Sequence, residues 1–366
     1  MTDQAGDNID RMYEAVRKSV GKMVPIRQHN TAASADAIRQ FANGCGDDNP
    51  LWLDPEYAAT TCWGANIAPP TFVMSCGFPR STGMPGVHGL WTGIDLSIPE
   101  PVLLDTPIKV MAGVASIEEK PGRYTGRQFR QHMTAEYRDP SGKLLAQLTS
   151  HVFRVVRSAG AATDKFKEIE RAHYTREDMA AIAVAYAREI ANRRGSKPRL
   201  WSQVSVGDNL PELLKGPLSL TDNVSWTTGQ GGPYLMAHRN WYSYLARHSK
   251  AGMLDDYGVP DSPERVHWEN EAARKIGMPI PFDSGPQRVA WMVHCVTDWM
   301  GDSGWVRRIQ ANVAAPNFLG DLSRVNASVT AKFGESDYFV QVDVTCTDQR
   351  GRVTATAKID VVLPLK

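Results

Sequence analysis

The sequence predicts an α+β fold built from two copies of one unit, because the same pattern occurs in both halves of its 366 residues. Each half ends in two segments of alternating apolar and polar residues, joined by tight turns at 139–142 and 348–351. An Asp opens each turn and a Gly closes it, as is typical of a β-hairpin. Each half also has one long apolar segment before its strands. A repeated helix and antiparallel sheet favour an α+β fold in which each sheet wraps its helix.

The apolar segments carry the start and stop signals of helices. Pro69 and Pro70 precede the first segment, whereas Pro286 lies just inside the start of the second and Gly301 ends it. Proline is favoured in the first turn of a helix and glycine just after the last. We therefore expect one long central helix in each unit.

The segment between the two units is charged and has helical periodicity, which is typical of a connector. It ends in a Gly and a Pro, where a helix stops. We expect an N-terminal domain over residues 1–160, a helical connector over 161–200 and a C-terminal domain over 201–366.

Composition argues against several classes of partner. Lys and Arg number 41 and Asp and Glu 40, so the overall charge attracts neither nucleic acid nor an anionic membrane. The five cysteines form no C-x-x-C pair, which favours a reduced, cytoplasmic setting. The N-terminal residues lack the apolar core of a signal peptide, and no apolar run approaches the ~18 to 20 residues that span a bilayer.

The most informative stretch is residues 41–58, FANGCGDDNPLWLDPEYA, which places an acid, an amide and a proline in a polar turn between two apolar runs. With the WGANIAPPTFV that follows, it resembles the G-D-x-N-P-L-H fingerprint of the MaoC-like, or hydratase-2, enoyl-CoA hydratases, especially their FAS1-like dehydratase branch. The resemblance implies a double hot-dog fold. It also implies a hydro-lyase that adds or removes water at an enoyl-CoA or 3-hydroxyacyl-CoA thioester.

That chemistry needs a carboxylate and an imidazole on one water, and a backbone N–H aimed at the thioester oxygen where enolate charge develops. The resemblance implies Asp47 as the carboxylate and Asn49 as the residue that positions a neighbour. Trp52 occupies the position of the histidine, and we expect it in the pocket wall. Prolines stand where the first central helix needs its N–H donor, whereas Gly285 heads the second. We therefore expect a composite site to which each unit contributes a part.

The missing imidazole has three candidates. His238 is the first choice, because it lies one residue beyond the position of the lost histidine in the second half. His88 lies in a Gly-rich loop and is the next choice. His294 lies within an apolar helical segment, where we expect a core histidine.

A basic segment offers sites for the phosphates of the coenzyme A in the substrate, although a solvated strand face is the alternative. Its cations are Lys120, Arg123, Arg127 and Arg130. No His or Cys set has metal-ligand spacing, so we expect neither a metal nor a separate cofactor.

Other functions remain open at this stage. On purely local grounds, GDDNP is also a turn stabilised by Asx hydrogen bonds. The same fold could carry a thioesterase or lyase reaction in which Asp47 acts without a histidine. It could also be a non-catalytic acyl-CoA-binding subunit that pairs with an active homologue. We expect a homodimer, since closed two-fold pairing is the commonest assembly.

Overall fold

The computed structural model describes residues 2–122, 126–155, 166–232, 234–249, 251–334 and 338–366. The α-helices are α1 (Thr2–Arg17), α2 (Ala35–Cys45), α3 (Pro50–Leu53), α4 (Pro55–Ala59), α5 (Val73–Cys76), α6 (Arg176–Asn192), α7 (Leu220–Gln230), α8 (Arg239–Leu245), α9 (Asn270–Lys275) and α10 (Gly285–Met300). Short 3-10 helices cover Pro70–Phe72, Trp201–Gln203 and Pro263–His267. The strands are β1 (Met23–Pro25), β2 (His88–Ser97), β3 (Lys109–Gly122), β4 (Gly126–Arg138), β5 (Leu144–Val155), β6 (Leu213–Lys215), β7 (Met253–Leu254), β8 (Pro260–Asp261), β9 (Trp305–Val313), β10 (Ser323–Phe333), β11 (Phe339–Asp348) and β12 (Val353–Val362).

Ten strands form one antiparallel sheet in the order β1-β3-β4-β5-β2-β9-β12-β11-β10-β6. From the central pair β2–β9 outward, each side repeats the same sequence of connections, ending in a short edge strand. The sheet therefore consists of two five-stranded halves, one from each unit. This arrangement confirms the predicted α+β fold.

The two predicted hairpins connect β4 to β5 and β11 to β12, and their turns close in the same way. Gly142 donates its N–H to the carbonyl of Asp139, and Gly351 donates to that of Asp348, both at 3.0 Å. The two glycines have φ angles of 89° and 75°, which a residue with a Cβ rarely adopts. The Gly at the end of each turn is thus required by the backbone.

The two central helices differ in length, so the expectation of a long helix in each unit is wrong for the first. α10 has 16 residues and is buried on all sides after its first residue. In the first unit, a 3-10 turn and α5 together end at Cys76, and Gly77 and Pro79 follow. A residue before proline is disfavoured in the helical conformation, which explains the early end.

The helices α2 and α7, one from each unit, pack closely at two glycines. A Cβ on Gly44 would lie 2.9 Å from the carbonyl oxygen of Ser225, and a Cβ on Gly229 would lie 2.4 Å from that of Gln40. Only glycine permits such contacts between backbones. This close helix pair joins the two units. Within the described residues, no helix has the length and apolar character needed to cross a membrane.

Candidate active site

The motif turn follows directly from the end of α2. Gly46 caps the helix in the left-handed conformation, with a φ of 63°, and the next residue is Asp47. The Asp47 Oδ1 atom accepts the backbone N–H of Asn49 at 3.1 Å, and the Asn49 Oδ1 atom accepts that of Leu51 at 2.9 Å. These Asx hydrogen bonds turn the chain into α3 and hold the Asp47 side chain in the interior, where the residue is 7% exposed.

Trp52 takes the place of the motif histidine as the group that hydrogen-bonds the carboxylate. Its indole Nε1–H donates to the Asp47 Oδ2 atom at 3.0 Å, and the residue is 2% exposed. The other carboxylate oxygen, Oδ1, is the one that lies near the second unit.

An imidazole from the second unit lies next to Asp47. The His294 Nε2 atom, on α10, is 3.6 Å from the Asp47 Oδ1 atom, and His294 Nδ1 is 2.9 Å from Lys215 Nζ. An ammonium group can only donate, so Nδ1 accepts and Nε2 carries the ring hydrogen. A separation of 3.6 Å is too long for a direct hydrogen bond but can be bridged by one water.

Two further carboxylates face the same imidazole nitrogen. The His294 Nε2 atom lies 3.5 Å from Asp298 Oδ2 and 3.7 Å from Glu189 Oε1, which belongs to α6. Lys215 also donates to the Gly46 carbonyl at 2.9 Å and lies 3.9 Å from Glu189. The cluster therefore joins α2, α6, β6 and α10 in one buried network of charges.

The acids of this cluster have opposite pKa shifts. Burial raises the pKa of Glu189, and the neighbouring Lys215 and His294 only partly oppose this shift. Burial also acts to raise the pKa of Asp298, but the neighbouring His294 and Arg193 outweigh it, so that this pKa lies below its ordinary value. Arg193 Nε donates to Asp298 Oδ1 at 2.9 Å. Asp298 is thus held ionised, whereas Glu189 is the acid that takes up a proton more readily.

By distance, three of these residues could hold a metal ion, since the ligand atoms of Glu189, His294 and Asp298 lie within 4.8 Å of one another. A metal would need the lone pair of His294 Nε2. Lys215 fixes the hydrogen on that nitrogen and places a positive charge beside Glu189. The donor set therefore suits proton transfer better than metal binding.

A cavity of about 440 Å³ reaches the cluster from the side of β6. Cys45, Gly46 and Lys215 line it next to the pair, and Gln287 and Trp291 line it from α10. Gln287, Trp291 and His294 are spaced by four and three residues, so they share one face of the helix. The cavity thus borders the groups that hold Asp47 and His294.

The structure does not bring Gly285 or His238 to Asp47. Gly285 precedes His294 by nine residues, or about 13.5 Å of helix, too far for one thioester group to contact both. Its Cα instead packs on Trp91, whose ring would lie 2.4 Å from a Cβ at this position. His238 is exposed at the start of α8, and within the described residues no hydrogen bond or ion pair links it to Asp47.

Three of the four predicted phosphate-binding cations lie on β3 and β4, in the first unit's half of the sheet. Lys120 pairs with Glu118 at 2.6 Å, and Arg127 pairs with Glu119 and Asp10, each at 2.7 Å. A phosphate would have to compete with these acids. Arg130 is exposed on β4. Arg123 lies outside the described residues, as does the side chain of His88, whose backbone begins β2.

Sequence reasoning missed Glu189, Lys215 and Asp298. The segment that contains Glu189 was interpreted as a connector, but α6 packs on β6 and closes the site: the Tyr186 hydroxyl donates to the Gly216 carbonyl at 2.7 Å. One signal was present in the sequence. His294 and Asp298 are polar residues four apart in an otherwise apolar helix, a spacing that places both on one face.

Comparisons with known proteins agree with this fold. Residues 20–148 match the model of the FAS1-like, dehydratase domain region. A UPF0336 protein from Parafrankia sp. (strain EAN1pec) is 33% identical over 127 residues, which are 31% of this chain and 76% of that protein. The solved structure of a MaoC-like dehydratase superposes with a TM-score of 0.69 at 19% identity, covering 95% of this chain and 99% of that one. A conserved hypothetical protein from Mycobacterium tuberculosis, described as a double hotdog fold, has a TM-score of 0.56 at 9% identity, covering 94% and 96%.

The fold is a double hot-dog like that of the MaoC-like dehydratase, and residues 20–148 match the FAS1-like dehydratase region. The chain belongs to the UPF0336 family.

Proposed function

We propose that the protein is a hydro-lyase that adds water to an enoyl thioester of coenzyme A, or removes it from the 3-hydroxyacyl thioester, at a site shared by its two units. One observation carries the proposal: Asp47 of the first unit and His294 of the second lie 3.6 Å apart, with an imidazole N–H facing a carboxylate oxygen. Neither unit alone supplies both groups.

In the hydration direction, a water between the two groups donates a hydrogen to Asp47 Oδ1, and its oxygen forms the bond to the β-carbon. The carboxylate takes the proton of that water, and the imidazole Nε2–H supplies a proton to the α-carbon while Lys215 Nζ passes a proton to Nδ1, so the ring stays neutral. The next water carries the proton of the carboxyl group to Nε2, and Nδ1 returns its proton to Lys215, which restores the starting state. Lys215 acts through His294, because its hydrogen bond to Nδ1 fixes the tautomer that donates.

The thioester group would reach this pair through the cavity of about 440 Å³ bordered by Gly46 and Lys215. Coenzyme A enters as part of the substrate, and the proposed chemistry uses no other cofactor. We further propose a cytoplasmic homodimer.

A second candidate is a non-catalytic subunit that binds an acyl-CoA and pairs with an active homologue. This candidate is favoured by the hydrogen bond that the Trp52 indole donates to Asp47 Oδ2, because it blocks access to the carboxylate from that side. The burial of the pair points the same way, since Asp47 is 7% and His294 2% exposed.

A screen of enoyl-CoA and 3-hydroxyacyl-CoA thioesters by mass spectrometry, for the gain or loss of one water, tests the hydro-lyase. We expect Asp47→Asn and His294→Gln each to lower turnover by about 100-fold or more while substrate binding changes little, because both keep the side-chain shape. Asp48→Asn is the matched control, since this neighbouring acid is 68% exposed and paired with Arg193; its turnover should stay within about 3-fold of the parent protein.

Three results would decide between the candidates. Conversion that depends on Asp47 and His294 supports the hydro-lyase. Tight acyl-CoA binding without conversion of any thioester supports the non-catalytic subunit. Conversion that Asp47→Asn leaves intact contradicts the proposed site.

A further inference from the structure

A second cavity, of about 890 Å³, lies on the first unit between β1, the end of α5 and the residues that follow α7. Residues 77–82, which follow the early end of α5, form part of its wall. Its volume is within the ~300 to 1,000 Å³ that is usual for sites of small organic ligands. Space that a longer central helix would fill is open here.

The wall of this cavity is basic. Lys22, Arg27 and Arg80 line it together with His29, and no Asp or Glu is among the described residues that line it. The lining of the first cavity, by contrast, includes the carboxylate of Asp222. The second cavity therefore selects for negative charge in a ligand.

Arg80 is the cation best placed to hold such a ligand. It is half-buried, and among the described residues its guanidinium has no hydrogen-bond or ion-pair partner. The guanidinium makes a cation–π contact with Tyr234, in which the Arg80 Cζ atom lies 5.6 Å from the ring centroid. Burial lowers the pKa of Arg80, and the charge of Glu264 opposes this shift from a distance. A guanidinium carries five N–H donors, and leaving them unpaired away from bulk water is costly.

A second guanidinium, behind the wall, also has no carboxylate partner among the residues that the structure describes. Arg154 is 7% exposed and donates to Ser81 Oγ at 2.7 Å and to the carbonyl of Met84. Its Nε atom is buried and has no partner, and no carboxylate of the described residues lies within ion-pair distance. Charged groups this deeply buried are normally paired. Two such cations at one wall point to an anion that arrives with the ligand.

We propose that this cavity binds an amphipathic anion, whose oxyanion group pairs with the Arg80 guanidinium while its apolar body lies against Ile26, Met74 and Phe78. A planar guanidinium binds a carboxylate or a phosphate through two parallel hydrogen bonds. The oxyanion is either the carboxylate of an apolar organic acid or a phosphate of coenzyme A. This inference does not depend on the chemistry at Asp47.

Isothermal titration calorimetry with decanoate, 1-decanol and coenzyme A tests the proposal and separates the two sources. We expect Arg80→Gln to weaken binding of decanoate by about 10-fold or more, which corresponds to about 1.4 kcal/mol, and to change that of 1-decanol less than about 2-fold. Arg39→Gln is the matched control, because Arg39 is exposed, pairs with Asp36 and does not line the cavity. Its effect on decanoate should stay below about 3-fold.

If the loss on Arg80→Gln is seen with coenzyme A and decanoate does not bind, the oxyanion is a phosphate. The proposal is overturned if Arg80→Gln leaves the affinities for decanoate and coenzyme A unchanged while its melting temperature shows a folded protein. Asp47→Asn should leave these affinities unaltered, so failure of the proposed hydro-lyase and failure of this site give different results.

Discussion

Replacing Trp52 with phenylalanine tests whether the indole, at the position of the motif histidine, holds the Asp47 carboxylate in place. The change removes one buried hydrogen bond, from Nε1–H to Asp47 Oδ2 at 3.0 Å, and part of a side chain that is 2% exposed. A hydrogen bond to a charged group contributes about 1.5 to 3 kcal/mol. We expect the free energy of unfolding, measured by urea denaturation, to fall by at least that amount, because the lost ring volume adds to it.

Trp305→Phe is the matched control for the lost volume. Trp305 is 4% exposed and donates its indole N–H at 2.8 Å to a neutral acceptor, the carbonyl of Ile98. A neutral hydrogen bond contributes about 0.5 to 1.5 kcal/mol. The loss should therefore be about 1 kcal/mol larger for Trp52→Phe than for Trp305→Phe.

A double-mutant cycle isolates the interaction itself. Trp52→Phe measured in the parent and in an Asp47→Ala background should give a coupling free energy above about 0.5 kcal/mol. A smaller coupling, together with equal losses for Trp52→Phe and Trp305→Phe, would refute the idea that the indole holds the carboxylate.

Three further predictions follow from the same structure. Gly285→Ala should lower the free energy of unfolding by about 1 to 3 kcal/mol, because the new Cβ would lie 2.4 Å from the Trp91 ring; an unchanged urea midpoint would contradict this packing. The pKa of Asp298 is depressed, so its contribution to stability is complete above the unfolded value of about 3.9 and is lost as the pH falls through the folded value. The stability difference between the parent protein and Asp298→Asn, from urea curves at pH 7 and pH 3.5, should accordingly shrink at the lower pH, and a constant difference would contradict the shift. Light scattering should give twice the 40.4 kDa mass of one chain if the protein is a homodimer, and the mass of one chain would argue against it.

The fold could be predicted where local chemistry decides the backbone. The two hairpin turns need a glycine with positive φ, and their Asp residues accept the N–H of the residue that follows each Gly: Lys143 at 3.0 Å and Arg352 at 2.9 Å. The residues that form each of these turns lie within four positions of each other in the sequence. The short first central helix was not predicted, because its apolar composition is that of a helix and only Gly77 and Pro79 mark its end.

The candidate site could be predicted only in part, for a related reason. Asp47 and Asn49 hold their turn through hydrogen bonds to neighbours two residues away, which a sequence reveals. Glu189, Lys215 and His294 lie far apart in the chain and meet only because α6, β6 and α10 pack together. The choice of His238 rested on its position in the repeat. It did not identify His294 as the neighbour of Asp47, because proximity in the folded chain depends on packing between the units.

The two units have diverged at equivalent positions, and the divergence explains why the two cavities differ. α2 and α7 both end at a left-handed glycine, Gly46 and Gly231, with φ angles of 63° and 83°. The next residue is Asp47 in the first unit but Gly232 in the second, so only the first turn presents a carboxylate. Asp47 meets a full-length central helix that supplies His294, whereas Gly232 lines a cavity beside a helix that ended early. The first position thus has the carboxylate and the imidazole of the proposed proton-transfer pair. Its counterpart has neither an acid nor a full-length helix beside it, and that side has the room and the positive charge that the proposed anionic ligand needs.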